Sequence, residues 1–222
     1  MKGDSLYFRT SKNAPNFEIK RTSLINPNFD NAEVLVKTKK DSVITDFEVT
    51  SEGLFFVTNK NGVKADLFKL TNNRVTKIKF PYVFGSISIY SKSIDQSELY
   101  ITTRGWLTPK KRYQYKEGEL IEKDLNPTSN NDEIKDIVVK EIEVTAHDGE
   151  KIPLSLIYNK SIVKDGTNIT MMDGYGAYGI SMRPRFSMRR LLWVLEGGIY
   201  AVAHVRGGGE KGDAWHKGGF KT

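Results

Sequence analysis

Cysteine is absent from the 222 residues. That removes disulfides, thiolate nucleophiles and thiolate metal ligands, and it leaves the compartment open. Histidine is scarce: His147, His204 and His216 are the full set. No two of them stand three or four apart on a helical pattern, so the sequence offers no support for a zinc site and no metal is expected. Long apolar runs are missing too. The longest, such as IYAVA at 199–203, fall far short of the ~18 residues of a membrane span and fit buried strands. No membrane partner is expected. The first ten residues, MKGDSLYFRT, have charge but no apolar h-region, so they do not read as a signal peptide. No G-x-S-x-G occurs anywhere in the chain.

What is present is aromatic and basic. The net charge is +7, but the lysines are dispersed over strand faces and turns with acidic neighbours. This describes a solvated surface, and no nucleic-acid partner is expected. Lys110-Lys111-Arg112, flanked by Tyr113 and Tyr115, is the one concentrated basic run.

From the N-terminus to about Leu125 the pattern is short strands and turns. Strands are predicted at 5–10, 17–22, 32–37, 53–58, 64–70, 74–80, 86–90, 98–103, 112–116 and 119–124. Asn61-Gly62, Asn72-Asn73 and Glu117-Gly118 mark tight hairpins. About ten strands without a convincing helix suggest a sandwich, a barrel or a propeller. At ~40–45 residues per four-stranded blade, the segment holds about three blades. A full ring takes ~4–8, so a propeller reading implies further blades. Residues 126–136, NPTSNNDEIKD, read as a linker or domain boundary.

The character then changes. A strand at 138–146, a turn at His147-Asp148-Gly149-Glu150 and a strand at 152–158 form a hairpin. TNITMM (167–172) enters a glycine turn, DGYGAYG. A helix is predicted at about 183–196, with Pro184 in its first turn and Met188, Leu191, Leu192 and Leu195 on its inner face. Gly197-Gly198 ends it, and IYAVAHV follows as a strand buried on both sides. RGGGEKGDAWHKGG closes this stretch. Strand, glycine turn, helix, strand and glycine loop make an α/β unit that places a ligand beyond the carboxyl end of a strand.

Several motifs carry competing readings. Gly174, Gly176 and Gly179 match G-x-G-x-x-G, with Arg206 placed to hold a 2′-phosphate. Two tyrosines stand where a pyrophosphate must approach the backbone, which disfavours a dinucleotide. Ser181 sits in a near-match to a nucleophile elbow, with Asp213 and His216 downstream. Arg183 replaces the final glycine, and Asp213 and His216 share one short loop, so the match is poor. His204 reads as a hydrogen-bonded core residue. Arg206 to Glu210 reads either as a backbone anion site or, preferably, as a close turn with Arg206 and Glu210 paired.

DGYGAYG together with HVRGGGEKGDAWHKGG resembles the prolyl oligopeptidase family of serine peptidases, which includes oligopeptidase B. SLYFRTSKNAPN resembles a propeller strand and turn of that family, and VTAHDGEKIPLSLIY the first hairpin of its hydrolase domain. The resemblance spans essentially the whole chain. It implies a partial β-propeller of late blades at 1–137, followed by the N-terminal portion of an α/β-hydrolase domain at 138–222. It implies acyl transfer on short peptides through a serine, with an aspartate and a histidine, and no cofactor. Cleavage after proline is the expected specificity, and after basic residues the alternative. Tyr175 maps to the oxyanion-hole tyrosine and Tyr178 to an aromatic that helps line the S1 pocket. Asp173 departs from the family, which commonly has an aromatic or apolar residue there. The family's serine, aspartate and histidine lie downstream of the matched stretch. The chain is therefore expected to be a central piece that is inactive alone and prone to association through unpaired strand edges, with IYAVAHV lacking its parallel neighbours. A non-catalytic peptide- or anion-binding module is the competing expectation.

Overall fold

The computed structural model describes residues 3–37, 39–123 and 132–220. The first half builds three successive antiparallel sheets. Strands β1 (Ser5–Thr10), β2 (Glu18–Ser23) and β3 (Glu33–Lys37) form the first. Strands β4 (Val43–Thr50), β5 (Gly53–Lys60), β6 (Lys64–Thr71) and β7 (Arg74–Ile78) form the second, in sequential order. Strands β8 (Ser86–Tyr90), β9 (Leu99–Arg104), β10 (Lys111–Lys116) and β11 (Glu119–Lys123) form the third.

The hairpin turns follow from residues that tolerate left-handed backbone. Asn72 and Asn73 have φ of 49° and 60°, and Glu117 and Gly118 have 53° and 87°. Each pair joins strands whose flanking residues remain in register, the geometry of a two-residue hairpin.

Strand β5 explains how the sheets stack. Its run Leu54-Phe55-Phe56-Val57 is apolar throughout, and successive side chains point to opposite faces. Leu54 and Phe56 pack with Ile19, Val36 and Ile44 toward the first sheet. Phe55 and Val57 pack with Ile87, Leu99 and Ile101 of the third. The second sheet is thus covered on both sides.

The second half is a mixed sheet. Strands β12 (Ile137–Thr145), β13 (Lys151–Asn159), β14 (Thr170–Gly174) and β15 (Ile199–Ala203) take the order β12-β13-β15-β14. β15 runs antiparallel to β13 and parallel to β14. Helix α1 (Met188–Leu195) connects the parallel pair, and a short helix α2 (Asp213–Lys217) follows β15. Leu191 and Val194 of α1 pack with Ile157, Tyr200 and Val202 of the sheet, and with Trp106 and Ile134 from outside it.

Six expectations change. The structure adds β4, hidden in the sequence because a register shift between Ile44 and Asp46 interrupts its alternation. Phe17 lies before β2, at φ 66°. The helix begins at Met188, one turn later than expected. Arg183 precedes a proline and is steered away from helical backbone, and Pro184 is lodged against Gly85, where any β-carbon would overlap it. The buried face is Leu191 and Val194, while Met188 and Leu192 are exposed. Residues 126–131 of the expected linker lie outside the described residues, but Ile134 is buried against α1 and anchors its C-terminal end. Finally, β15 is paired on both sides, so the apolar strand at the sheet edge is β14, with Met172 65% exposed. Among the described residues no helix is long and apolar enough to cross a membrane.

Candidate active-site loops

The parallel strands β14 and β15 deliver two glycine-rich loops to the same end of the sheet. These are 175–187 after β14 and 204–212 after β15, and such strand ends are where α/β sheets place ligands. The loops interlock through missing side chains. A β-carbon on Gly176 would strike the Arg206 carbonyl and lie 2.7 Å from Val205. One on Gly207, at φ 91°, would strike the Gly176 carbonyl. One on Gly209 would lie 2.7 Å from the Gly179 carbonyl. The Gly179 amide donates to the Gly207 carbonyl at 2.9 Å. The glycines therefore serve backbone-to-backbone approach, one loop against the other.

Tyr175 stands in this clamp, between Gly174 and Gly176, with its side of the loop open: it is 41% exposed. Tyr178 is 85% exposed and sits at φ 56°. That conformation costs a non-glycine residue about 1–2 kcal/mol. Strain of this kind persists where the surroundings enforce it, and it concentrates at functional sites.

Around the loops the charges are fixed. Arg206 pairs with Asp148 in the β12–β13 turn at 2.5 Å, not with Glu210 as the sequence suggested. Tyr200 donates to the unexpected Asp173 at 3.0 Å, and Arg190 lies over the Tyr200 ring at 5.2 Å. Burial, and then the Asp173 carboxylate, push the Tyr200 phenol above its ordinary value. In the basic run, Lys111 is neutralised by Glu122 at 2.8 Å.

Ser181, Asp213 and His216 do line one cavity of about 140 Å³, together with Arg9 and Arg183. The Asp213 carboxylate and the His216 Nδ1 are engaged by other partners. Asp213 holds Lys217 at 2.6 Å, and His216 Nδ1 meets the Gly207 carbonyl at 2.8 Å. That cavity lies between the α/β loops and the first two sheets. The same seam contains the Asp213 amide on the Pro15 carbonyl, at 2.8 Å. It also contains Asp46, whose carboxylate is pushed up by burial and held back by the Ile89 amide and by Arg183 and Arg9.

A second constellation was not foreseen. Ser155 Oγ lies 2.8 Å from His204 Nε2, and His204 Nδ1 lies 3.9 Å from Glu210 Oε1. The order hydroxyl, imidazole, carboxylate imitates a hydrolytic triad. It cannot attack a substrate, because Ser155 and His204 are 0% exposed and Glu210 is 2%. The Ser155 proton is also already donated, to Glu141 Oε2 at 2.6 Å. The expectation that His204 is a hydrogen-bonded core residue holds. The one available sequence signal for Ser155 was a polar residue between Leu154 and Leu156 in an otherwise apolar strand.

Residues 1–119 match the prolyl oligopeptidase N-terminal β-propeller domain. The prolyl endopeptidase of Elizabethkingia meningoseptica is 32% identical over 99% of this chain and 31% of its own length. The oligopeptidase B structure from Trypanosoma brucei, which carries covalently bound antipain, superposes with a TM-score of 0.82 at 30% identity, over 98% of this chain and 32% of that one. A Galerina marginata prolyl oligopeptidase B bound to a 35mer hydrolysis and macrocyclization substrate superposes at 0.81 and 25% identity, over 99% and 31%. The three antiparallel sheets and these matches define a β-propeller protein of a peptidase class. The chain belongs to the prolyl oligopeptidase family of serine peptidases. It spans just under a third of the length of these relatives.

Proposed function

We propose that this chain is part of a serine-type oligopeptidase acting on short peptides. Residues 1–137 serve as late propeller blades, and 138–222 as the opening portion of an α/β-hydrolase domain. In this reading the Tyr175 phenol donates to the oxyanion that develops as a peptide carbonyl is attacked, and Tyr178 lines the S1 pocket. The observation that carries the reading is the interlock of Gly176 with Gly207. It holds a half-exposed phenol rigidly at the carboxyl end of a parallel strand. A preorganised donor of this kind contributes about 3–4 kcal/mol to lowering the barrier. No cofactor enters the chemistry.

A donor accelerates nothing without an attacking group. Ser155 is sealed in the core, and the Ser181 cavity has its acid and base tied to other partners. The purified chain is therefore expected not to hydrolyse a proline-linked chromogenic peptide. The positive test is a chimera in which this chain replaces the matching stretch of the Elizabethkingia meningoseptica prolyl endopeptidase. Tyr175→Phe in that chimera should lower kcat by about 10²–10³-fold with KM little changed. An active chimera indifferent to Tyr175→Phe refutes the assignment. Similarity to an oligopeptidase B at 30% identity favours basic P1 residues as the second specificity. Proline and arginine substrates, assayed side by side, decide between them.

A further inference from the structure

The loop that carries Tyr175 and Tyr178 is held at its far end by the first half of the molecule. The Ile180 amide donates to the Ala177 carbonyl at 3.1 Å, with Tyr178 and Gly179 between them at φ 56° and 68°. That is the pattern of a type I′ turn, which suits glycine and asparagine better than tyrosine. A tyrosine stays there only where its surroundings over-determine it. The Gly179 amide on the Gly207 carbonyl supplies one restraint. Two more lie just downstream. The Met182 amide donates to Glu210 Oε1 at 2.8 Å, and the buried Pro184 rests on Gly85. Both are backed by one block of the antiparallel sheets. Gly62, in the turn between β5 and β6, lies against the Glu210 side chain: a β-carbon there would sit 2.5 Å from Cγ. That hairpin is in turn tied to Gly85. The Ala65 amide donates to the Phe84 carbonyl at 2.9 Å, and the buried Asn59 side chain donates to the Gly85 carbonyl at 3.1 Å. Gly62 and Gly85 are thus two seats on one support, the first under Met182 through Glu210 and the second under Pro184.

We propose that these two seats are the positioning element of the Tyr178 turn and, through it, a determinant of P1 preference. Only Gly179, Ile180 and Ser181 separate Tyr178 from Met182, and Gly179 is itself bonded to Gly207. Unwinding the turn to a relaxed backbone would have to break that bond or lift Met182 or Pro184 from its seat. Neither seat has room for a side chain, so the sheets set how far the loop stands from them. Tyr178, 85% exposed, is thereby held out from the loop at a fixed place. The specificity role rests on the reading of Tyr178 as an S1 residue. The seating of the turn does not, so the two can fail separately.

Amide exchange in the full chain tests the seating. Pro184→Ala takes most of the ring off its seat without crowding either sheet, and Gly62→Ala pushes on Glu210. Each should raise exchange at Gly179 and Ile180 about tenfold, with Ala201 and Val202 of β15 unchanged. Protection at Gly179 and Ile180 that survives both substitutions overturns the proposal. So does a uniform loss that includes β15, which marks general loosening. In the chimera described above, Pro184→Ala should raise KM for the proline-linked peptide about fivefold and change the ratio of proline to arginine turnover, with kcat little altered. In a Tyr178→Ala chimera the same substitution should have no further effect. An equal KM effect in both backgrounds overturns the specificity role. If Tyr178→Ala alone changes neither KM nor the substrate ratio, the S1 reading falls and the specificity role with it, while the exchange result still decides the seating.

Discussion

Gly207→Ala isolates the cost of prising the two loops apart. The new methyl carries two penalties. At φ 91° it forces an L-residue into left-handed space, about 1–2 kcal/mol. It also meets the Gly176 carbonyl and carbonyl carbon well inside contact distance, so one loop must move. Overpacking of this kind costs about 1–3 kcal/mol. Movement weakens the Gly179 amide to Gly207 carbonyl bond of 2.9 Å, worth about 1 kcal/mol. The sum is about 3–6 kcal/mol, a large part of a typical domain's ~5–15 kcal/mol. Gly166→Ala is the matched control: it has the same sign of φ, 89°, but nothing within 4 Å of the new methyl. It should cost only the backbone penalty of about 1–2 kcal/mol. With a urea slope of about 2 kcal/mol per molar, the midpoint should fall by about 1.5–3 M for Gly207→Ala and about 0.5–1 M for Gly166→Ala. Equal shifts in the two variants would refute the interlock as the reason these glycines are there.

Two further outcomes are expected. Burial raises the Asp46 carboxylate above its ordinary value, so its contribution to stability is present at low pH and is lost as pH rises through the folded-state value. Asp46→Asn should therefore raise Tm at pH 7, and the advantage should vanish below the ordinary aspartate range near ~3.9; thermal melts at both pH values check this, and an advantage that persists at low pH contradicts it. Met172→Lys places a charge on the exposed apolar edge strand β14. It should shift the chain from oligomer toward monomer in light-scattering chromatography, and an already monomeric parent chain would contradict the edge as the cause of association.

Local chemistry made much of the fold legible. Asn72-Asn73 and Glu117-Gly118 announce their hairpins because few other residues accept that backbone. The run at Leu54 to Val57 announces a strand between two apolar neighbours. The hidden features depend on distant partners. β4 was obscured by its bulge. The onset of α1 is set by Pro184 docking on Gly85, about a hundred residues earlier in the chain. At the site, the glycine loops and Tyr175 were visible, but their interlock was not. Ser155 and His204 are 49 residues apart and Met182 and Glu210 are 28 apart, and no spacing rule links such pairs. The expected Arg206–Glu210 pair failed for the same reason: Asp148 arrives from another hairpin.

The sheet order β12-β13-β15-β14 sets a timetable for synthesis. β15 lies between two strands that are both translated before it. Until Ile199–Ala203 clears the ribosome, β14 has no neighbour and the β12–β13 hairpin has one bare side. The nascent chain must keep those strands from pairing wrongly while α1 is still being made. Assembly of this half waits on five residues that arrive late and slot into the middle.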